Sequence, residues 1–230
     1  RPAMGKTAFA VSTAMKLIQS GKEVAFFALE MSTKQMMRRM ISNATALDSN
    51  MLKFGRCTEN QIKTVFEVQT KEFWSNLHLY EGTHSIKDIA VKVADLKMKN
   101  DVDIVIVDYL QKVRPTSGRS RYEQVTEVSN GLKLMCQNMH VPCVALAQLS
   151  RSVTDRGDKR PVLSDLKESG EIEQDASIVA FLHRPEYYGN EETFSGNDAH
   201  NKCEFIIAKN REGEIGIVEF DVDLRISKFM

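Results

Sequence analysis

Gly5, Lys6 and Thr7 stand together in the opening stretch "RPAMGKTAFA" and match the last three positions of the pattern G-x-x-x-x-G-K-[ST]. Arg1–Met4 fill its four variable positions, and its first glycine would precede Arg1. Such a loop holds phosphate when a helix begins immediately after it, because free backbone N–H groups and the helix dipole then face the anion. The next residues, "TAFAVSTAMKLIQSG", carry apolar side chains at helical spacing and end at Gly21. Two carboxylates fit the same chemistry. Asp108 ends the apolar run "DIVIVD", at the position where an open α/β sheet binds its ligand and where a carboxylate would lie near Mg²⁺. Glu30 ends "VAFFALE", where a carboxylate can share that crevice and polarise an attacking water. Singly, G-K-T is weak evidence and each acid reads as a strand-end solubiliser. The three features in this order exceed what chance supplies.

These groups need a sheet and a helix to hold them. Five apolar runs read as buried strands: "EVAFFALE" (Glu23–Glu30), "DIVIVDYL" (Asp103–Leu110), "PCVALAQLS" (Pro142–Ser150), "SIVAFLHR" (Ser177–Arg184) and "KCEFIIAKN" (Lys202–Asn210). Their near-continuous hydrophobicity suits a parallel sheet covered on both faces. Helical patterns cover Lys6–Ser20, Thr33–Ala46, Glu59–Ser75, Ser85–Lys99 and Tyr122–His140, with Thr58 and Ser85 as N-caps. The alternation predicts an α/β fold: a largely parallel twisted sheet with helices on both faces and right-handed crossovers. The stretch "FIIAKNREGEIGIVEFDV" adds a C-terminal β-hairpin turning near Glu212–Gly213. Two polar segments, Arg114–Gln124 and Ser150–Ala176, read as long loops, which are often functional and otherwise solvated surface.

Composition narrows the function classes. The chain has 230 residues, 42% hydrophobic and 27% charged, enough for one domain with a buried core. Lys+Arg and Asp+Glu balance at 31 each, which argues against coating nucleic acid by bulk positive charge but leaves room for a few basic loops. Cys57, Cys136, Cys143 and Cys203 include no C-x-x-C pair and read as free thiols of a reducing cytoplasm. The five histidines lack metal-ligand spacing, and no apolar run is long enough to cross a bilayer.

Taken together, "RPAMGKTAFA", "ALEMS", "IVDYLQ", "ALAQLSR", "KRPVLSDLKESGEIEQDASIVAFLHRPEYY" and "IIAKNREGEIG" resemble the ATPase domain of DnaB-type replicative helicases, hexameric motors with a RecA-like P-loop NTPase fold. The stretches span essentially the whole chain, and "LSDLKESGEIEQDA" and "IIAKNREG" are the distinctive ones. The resemblance implies one RecA-like helicase ATPase domain over residues 1–230, a fragment whose N-terminal domain, linker helix and first loop glycine lie outside it.

The resemblance also implies roles. Pro2, Ala3, Met4, Gly5, Lys6, Thr7 and Ala8 form the ATP loop; Lys6 contacts the β- and γ-phosphates, and Thr7 and Asp108 serve Mg²⁺. Glu30 orients the attacking water, and Gln148 senses the γ-phosphate. Lys209 and Arg211 match a basic pair projected into the neighbouring subunit's site, and their spacing of two on a strand turns both side chains to one face. Lys167, Glu168 and Gly170 match a loop tracking single-stranded DNA, with Lys where many relatives carry Arg, which loses the bidentate fork. The loop bearing Arg119 and Arg121 is a second DNA candidate or a plain surface loop. Expected partners are single-stranded DNA, further copies in a ring hexamer, a primase and a helicase loader, in the cytoplasm of a bacterium or of a phage host. Two other readings stay open at this point: another RecA-like ATPase (a recombinase or primase-helicase motor), or a nucleotide-gated DNA-binding assembly module without productive turnover.

Overall fold

The computed structural model describes residues 4–116, 120–149 and 158–230, without the side chains of 167–169. From the N-terminus come α1 (Lys6–Gln19), β1 (Val24–Ala28), α2 (Thr33–Thr45), α3 (Ser49–Phe54), α4 (Glu59–Gln69), β2 (Leu77–Glu81), α5 (Ile86–Asn100) and β3 (Ile104–Asp108). Then follow α6 (Arg121–Met139), β4 (Cys143–Ala145), α7 (Gly170–Asp175), β5 (Ile178–His183), β6 (Lys202–Asn210), β7 (Gly216–Asp223) and β8 (Lys228–Phe229).

One sheet is parallel, in the order β2-β1-β3-β4. All of β1 is buried, because helices cover both faces. Side chains alternate between two cores as the strand period of two requires. Ala25, Phe27, Val105 and Val107 meet α5 and α6, whereas Val24, Phe26, Ala28 and Ile106 meet α1 and α2. The expected helix starts hold: Ser32, Thr58, Ser85 and Ser120 each form a capping box, Ser85 using Asp88 in place of Glu or Gln.

The second sheet corrects the reading of Ser177–Arg184 and Lys202–Asn210 as members of the parallel sheet. β5, β6, β7 and β8 form a separate antiparallel sheet in that order. The apolar runs misled because short buried strands look alike in either direction. The finer pattern distinguishes them: Ile178 is 58% exposed while Val179 and Phe181 are buried, the alternation of a half-covered antiparallel strand. The β6–β7 hairpin turns where expected, over residues 211–215.

Other differences are local. The pattern over Glu59–Ser75 divides into α4 and a 3-10 turn, Glu72–Asn76. β2 and α3 carry mixed or sparse apolar patterns and left no sequence signal. The segment Ser150–Ala176, read as loop, contains a 3-10 stretch (Leu163–Ser169) and α7, while 150–157 lie outside the described residues.

The chain entering that segment is fixed by a buried ion pair. Glu204, fully buried on β6, accepts from Arg160 Nε and Nη2, both at 2.8 Å, and from the Phe194 amide at 2.7 Å. Removing the charge takes away the buried carboxylate that receives two guanidinium N–H groups of part-buried Arg160. Glu204→Gln is therefore expected to cost about 3 kcal/mol in urea unfolding.

Candidate functional site

The carboxyl ends of the parallel strands make one edge, and the strand order reverses between β1 and β3, the place where open α/β sheets form a ligand crevice. Ala28 is paired with Asp108 across that gap, so Asp108 and Glu30, just past the end of β1, flank it. The N-terminus of α1 completes the edge. Gly5 caps it with φ 90°, a left-handed conformation, and a Cβ there would lie 3.2 Å from Leu224 and 3.3 Å from Phe229. Both facts call for glycine.

Thr7 Oγ1 donates to Asp108 Oδ2 at 2.8 Å. Asp108 is 3% exposed, and burial raises its carboxyl above the usual range against the Thr7 hydrogen bond and the Lys6 charge, which lower it. Lys6 Nζ donates to Ala147 O at 3.2 Å and lies 5.1 Å from the centroid of the Tyr109 ring. Burial lowers the Lys6 ammonium, while Asp108 and Glu30 pull it back up. A buried acid beside a part-buried base, each with its charge disfavoured by burial, forms a site that a charged ligand would complete. Glu30 is exposed at the lip. Phosphate oxygens at the α1 N-terminus would meet backbone N–H groups, the Lys6 ammonium and the dipole together. The oxygen pair of Thr7 and Asp108 fits a hard divalent cation such as Mg²⁺.

Gln148, expected to end a strand, lies beyond β4, which stops at Ala145. Its backbone is clamped by Gln111, the last residue of the stretch "IVDYLQ", to which the sequence reading gives no role. Gln111 Oε1 accepts from Gln148 N and Gln111 Nε2 donates to Gln148 O, both at 3.1 Å. Arg121 Nη2 in turn donates to Gln111 O at 2.8 Å, so Arg121 braces the Gln111–Gln148 contact from the start of α6. Arg39 on α2 is a second such residue. It is part-buried, donates to Ser227 Oγ at 3.4 Å and adds positive potential to Asp108. No periodic signal marks either residue, since each acts through a tertiary contact.

Met4 and Ala8 are both 4% exposed; the Ala8 side chain packs with Cys203, Val222 and Phe229. Pro2, Ala3 and Arg119 lie outside the described residues. Gly170 is exposed and opens α7; the side chains of Lys167 and Glu168 are not described.

Lys209 and Arg211 are not gathered at the phosphate loop. At the end of β6, Lys209 Nζ donates to Glu173 O and Arg211 Nη2 to Gln174 O, both carbonyls in the last turn of α7. The ladder shifts register between Val179 and Ala180, with Val179 opposite Lys209 and Ala180 opposite Ile207. The extra residue, Ala208, makes a bulge that re-aims the side chains beyond it. Among the described residues no hydrogen bond or ion pair joins Lys209 or Arg211 to Lys6, Thr7, Glu30 or Asp108.

Comparison with known proteins matches this geometry to a family. The DnaB-like helicase C-terminal domain matches residues 1–230. The replicative DNA helicase DnaB of Geobacillus stearothermophilus is 40% identical over 238 residues, covering 100% of this chain and 50% of that protein. A probable plasmid replicative DNA helicase of Chlamydia psittaci is 37% identical, covering 94% of this chain and 46% of its own length. Among solved structures, an ATPase domain superposes with a TM-score of 0.89 at 35% identity, covering 100% of this chain and 81% of that one. A DnaB-like replicative helicase, solved in a study of its interactions with primase, gives 0.91 at 35% identity over 100% of this chain and 55% of that one. The chain spans about half the length of the curated relatives it matches. The chain belongs to the DnaB-like helicase C-terminal domain family.

Proposed function

We propose that this chain is the motor domain of a ring-shaped replicative DNA helicase, hydrolysing ATP to translocate on single-stranded DNA and unwind duplex. The observation that carries the reading is the Thr7–Asp108 hydrogen bond at the N-terminus of α1, with Lys6 beside it and Glu30 at the lip. Loop amides and Lys6 would hold the β- and γ-phosphates, and Thr7 and Asp108 would hold Mg²⁺. Mg²⁺, when bound, would neutralise phosphate charge as it develops. Glu30 orients water in line with the γ-phosphate and draws its proton toward the carboxylate. Gln148, held by Gln111, reads whether the γ-phosphate is present.

Lys209 and Arg211 complete the site of the next subunit in a hexamer, and the loop ending at Gly170 meets the DNA backbone. Arg119 and Arg121 are the second candidates for that contact. A chain of zero net charge binds a strand by a few phosphate contacts per subunit, so affinity comes from several subunits on one strand and weakens with salt. A primase and a loader are the proposed protein partners, in the cytoplasm of a bacterium or phage host. No helix among the described residues is long and apolar enough to cross a membrane.

Lys6→Ala tests the phosphate site. ATP hydrolysis is expected to fall roughly 10²–10³-fold or more, with thermal unfolding little changed, because in the free chain Lys6 Nζ makes, among the described residues, only a 3.2 Å carbonyl hydrogen bond and a contact with the Tyr109 ring. Hydrolysis by Lys6→Ala at the wild-type rate would remove the assignment.

A further inference from the structure

The stretch "GEIEQDA" is distinctive in sequence, yet the roles assigned above use only its first residue, Gly170. The structure shows what the rest of it touches. The last carbonyls of a helix lack intrahelical donors. In α7, Ala176 N donates to Ile172 O at 3.0 Å, and the carbonyls of Glu173 and Gln174 receive Lys209 and Arg211. Cations at a helix C-terminus are favoured by its dipole. The same turn is tied to α6. Asp175, whose side chain is 9% exposed, accepts from Ser129 Oγ at 2.8 Å and from Lys133 Nζ at 3.1 Å. Directly after it, Ser177 O accepts from Arg211 N at 3.0 Å, where β5 begins to pair with β6.

We infer that Asp175 is a positioning residue for the Lys209–Arg211 pair: by anchoring α7 to α6 it keeps the pair on that helix's own carbonyls until DNA at the other end of α7 displaces the helix. The inference rests on the motor reading above. Three observations support it. α7 is six residues long and starts at Gly170, so roughly 9 Å of rigid helix separates the proposed DNA loop from the carbonyls that hold the pair. The holding contacts are to neutral carbonyls, and phosphate oxygens are stronger acceptors for both cations, so the hold is reversible when a phosphate is within reach. The Ala208 bulge just before Lys209 gives the strand a place to re-aim both side chains together.

The test compares ATP hydrolysis with and without single-stranded DNA for the wild-type chain, Asp175→Ala and Lys133→Ala. The DNA-free rate of Asp175→Ala is expected to rise toward the stimulated one. Stimulation then falls at least several-fold, while the DNA-saturated rate stays within about twofold. Lys133→Ala, which removes one partner from an accessible position, shifts the ratio the same way by less, and it keeps the test open if Asp175→Ala folds poorly. A purely structural role lowers both rates together and leaves the ratio alone; that result overturns the inference. A wild-type chain without DNA stimulation overturns the motor reading and this inference with it. A stimulated wild type with unchanged ratios in the variants overturns this inference alone.

Discussion

Arg211→Ala is expected to lower DNA-stimulated ATP hydrolysis by roughly 10³–10⁵-fold, the effect of losing a guanidinium that neutralises transition-state charge from a neighbouring subunit. That range corresponds to about 4–7 kcal/mol of barrier. The structural reason to expect action in trans is the position of the pair. Lys209 and Arg211 lie at the end of β6, hydrogen-bonded to α7, and among the described residues no hydrogen bond or ion pair ties them to the phosphate loop of their own chain. Nucleotide affinity of Arg211→Ala should stay within a few-fold of wild type, because the loop amides, Lys6 and Thr7 are untouched. Mixing separates trans from cis action. Arg211→Ala and Lys6→Ala, each nearly inactive, should together recover measurable hydrolysis, since an intact loop from one chain can meet an intact arginine from the other. Mixtures no more active than their components would mean that Arg211 serves its own site.

Replacing Glu30 by Gln is the second large effect, an expected loss of roughly 10²–10⁴-fold in turnover at nearly unchanged ATP binding. The substitution keeps size and shape and removes the group that takes the proton. Glu30 is exposed and makes no side-chain hydrogen bond among the described residues, so stability should barely move. Thr7 and Asp108 remain paired at 2.8 Å, so the cation site is preserved and the variant should accumulate bound ATP. Single-turnover kinetics read this directly: a slow chemical step with normal binding is expected. Turnover by Glu30→Gln equal to wild type would show that another group orients the water.

Much of this site is local in sequence and could be read there. The reading of Gly5-Lys6-Thr7 needs a helix to begin at Lys6, as it does, and both signals are written in ten consecutive residues. Asp108 and Glu30 end or follow strands whose burial made them visible as apolar runs, and parallel pairing of those strands brings the acids together. The capping boxes at Ser85 and Thr58 are likewise four-residue signals. What escaped depends on contacts across the fold. Gln111 and Gln148 are joined by a reciprocal amide clamp between two turns, and glutamine in a turn has no spacing rule. α7 is too short for a helical period to appear against its polar composition. The direction of β5 and β6 was lost because four or five apolar residues in a row do not specify a partner strand, whereas the exposed Ile178 beside buried Val179 does so only after the sheet is seen. The destination of Lys209 and Arg211 on the α7 carbonyls has no sequence signature at all.

The central claim is that the hydrolytic site is completed between subunits on DNA. Its most direct test is the rate of ATP hydrolysis per chain, measured across a range of protein concentration with and without single-stranded DNA. The account predicts a rate per chain that climbs steeply as chains associate and climbs further with DNA. A rate per chain independent of concentration and indifferent to DNA would contradict it, and would describe a self-contained ATPase instead.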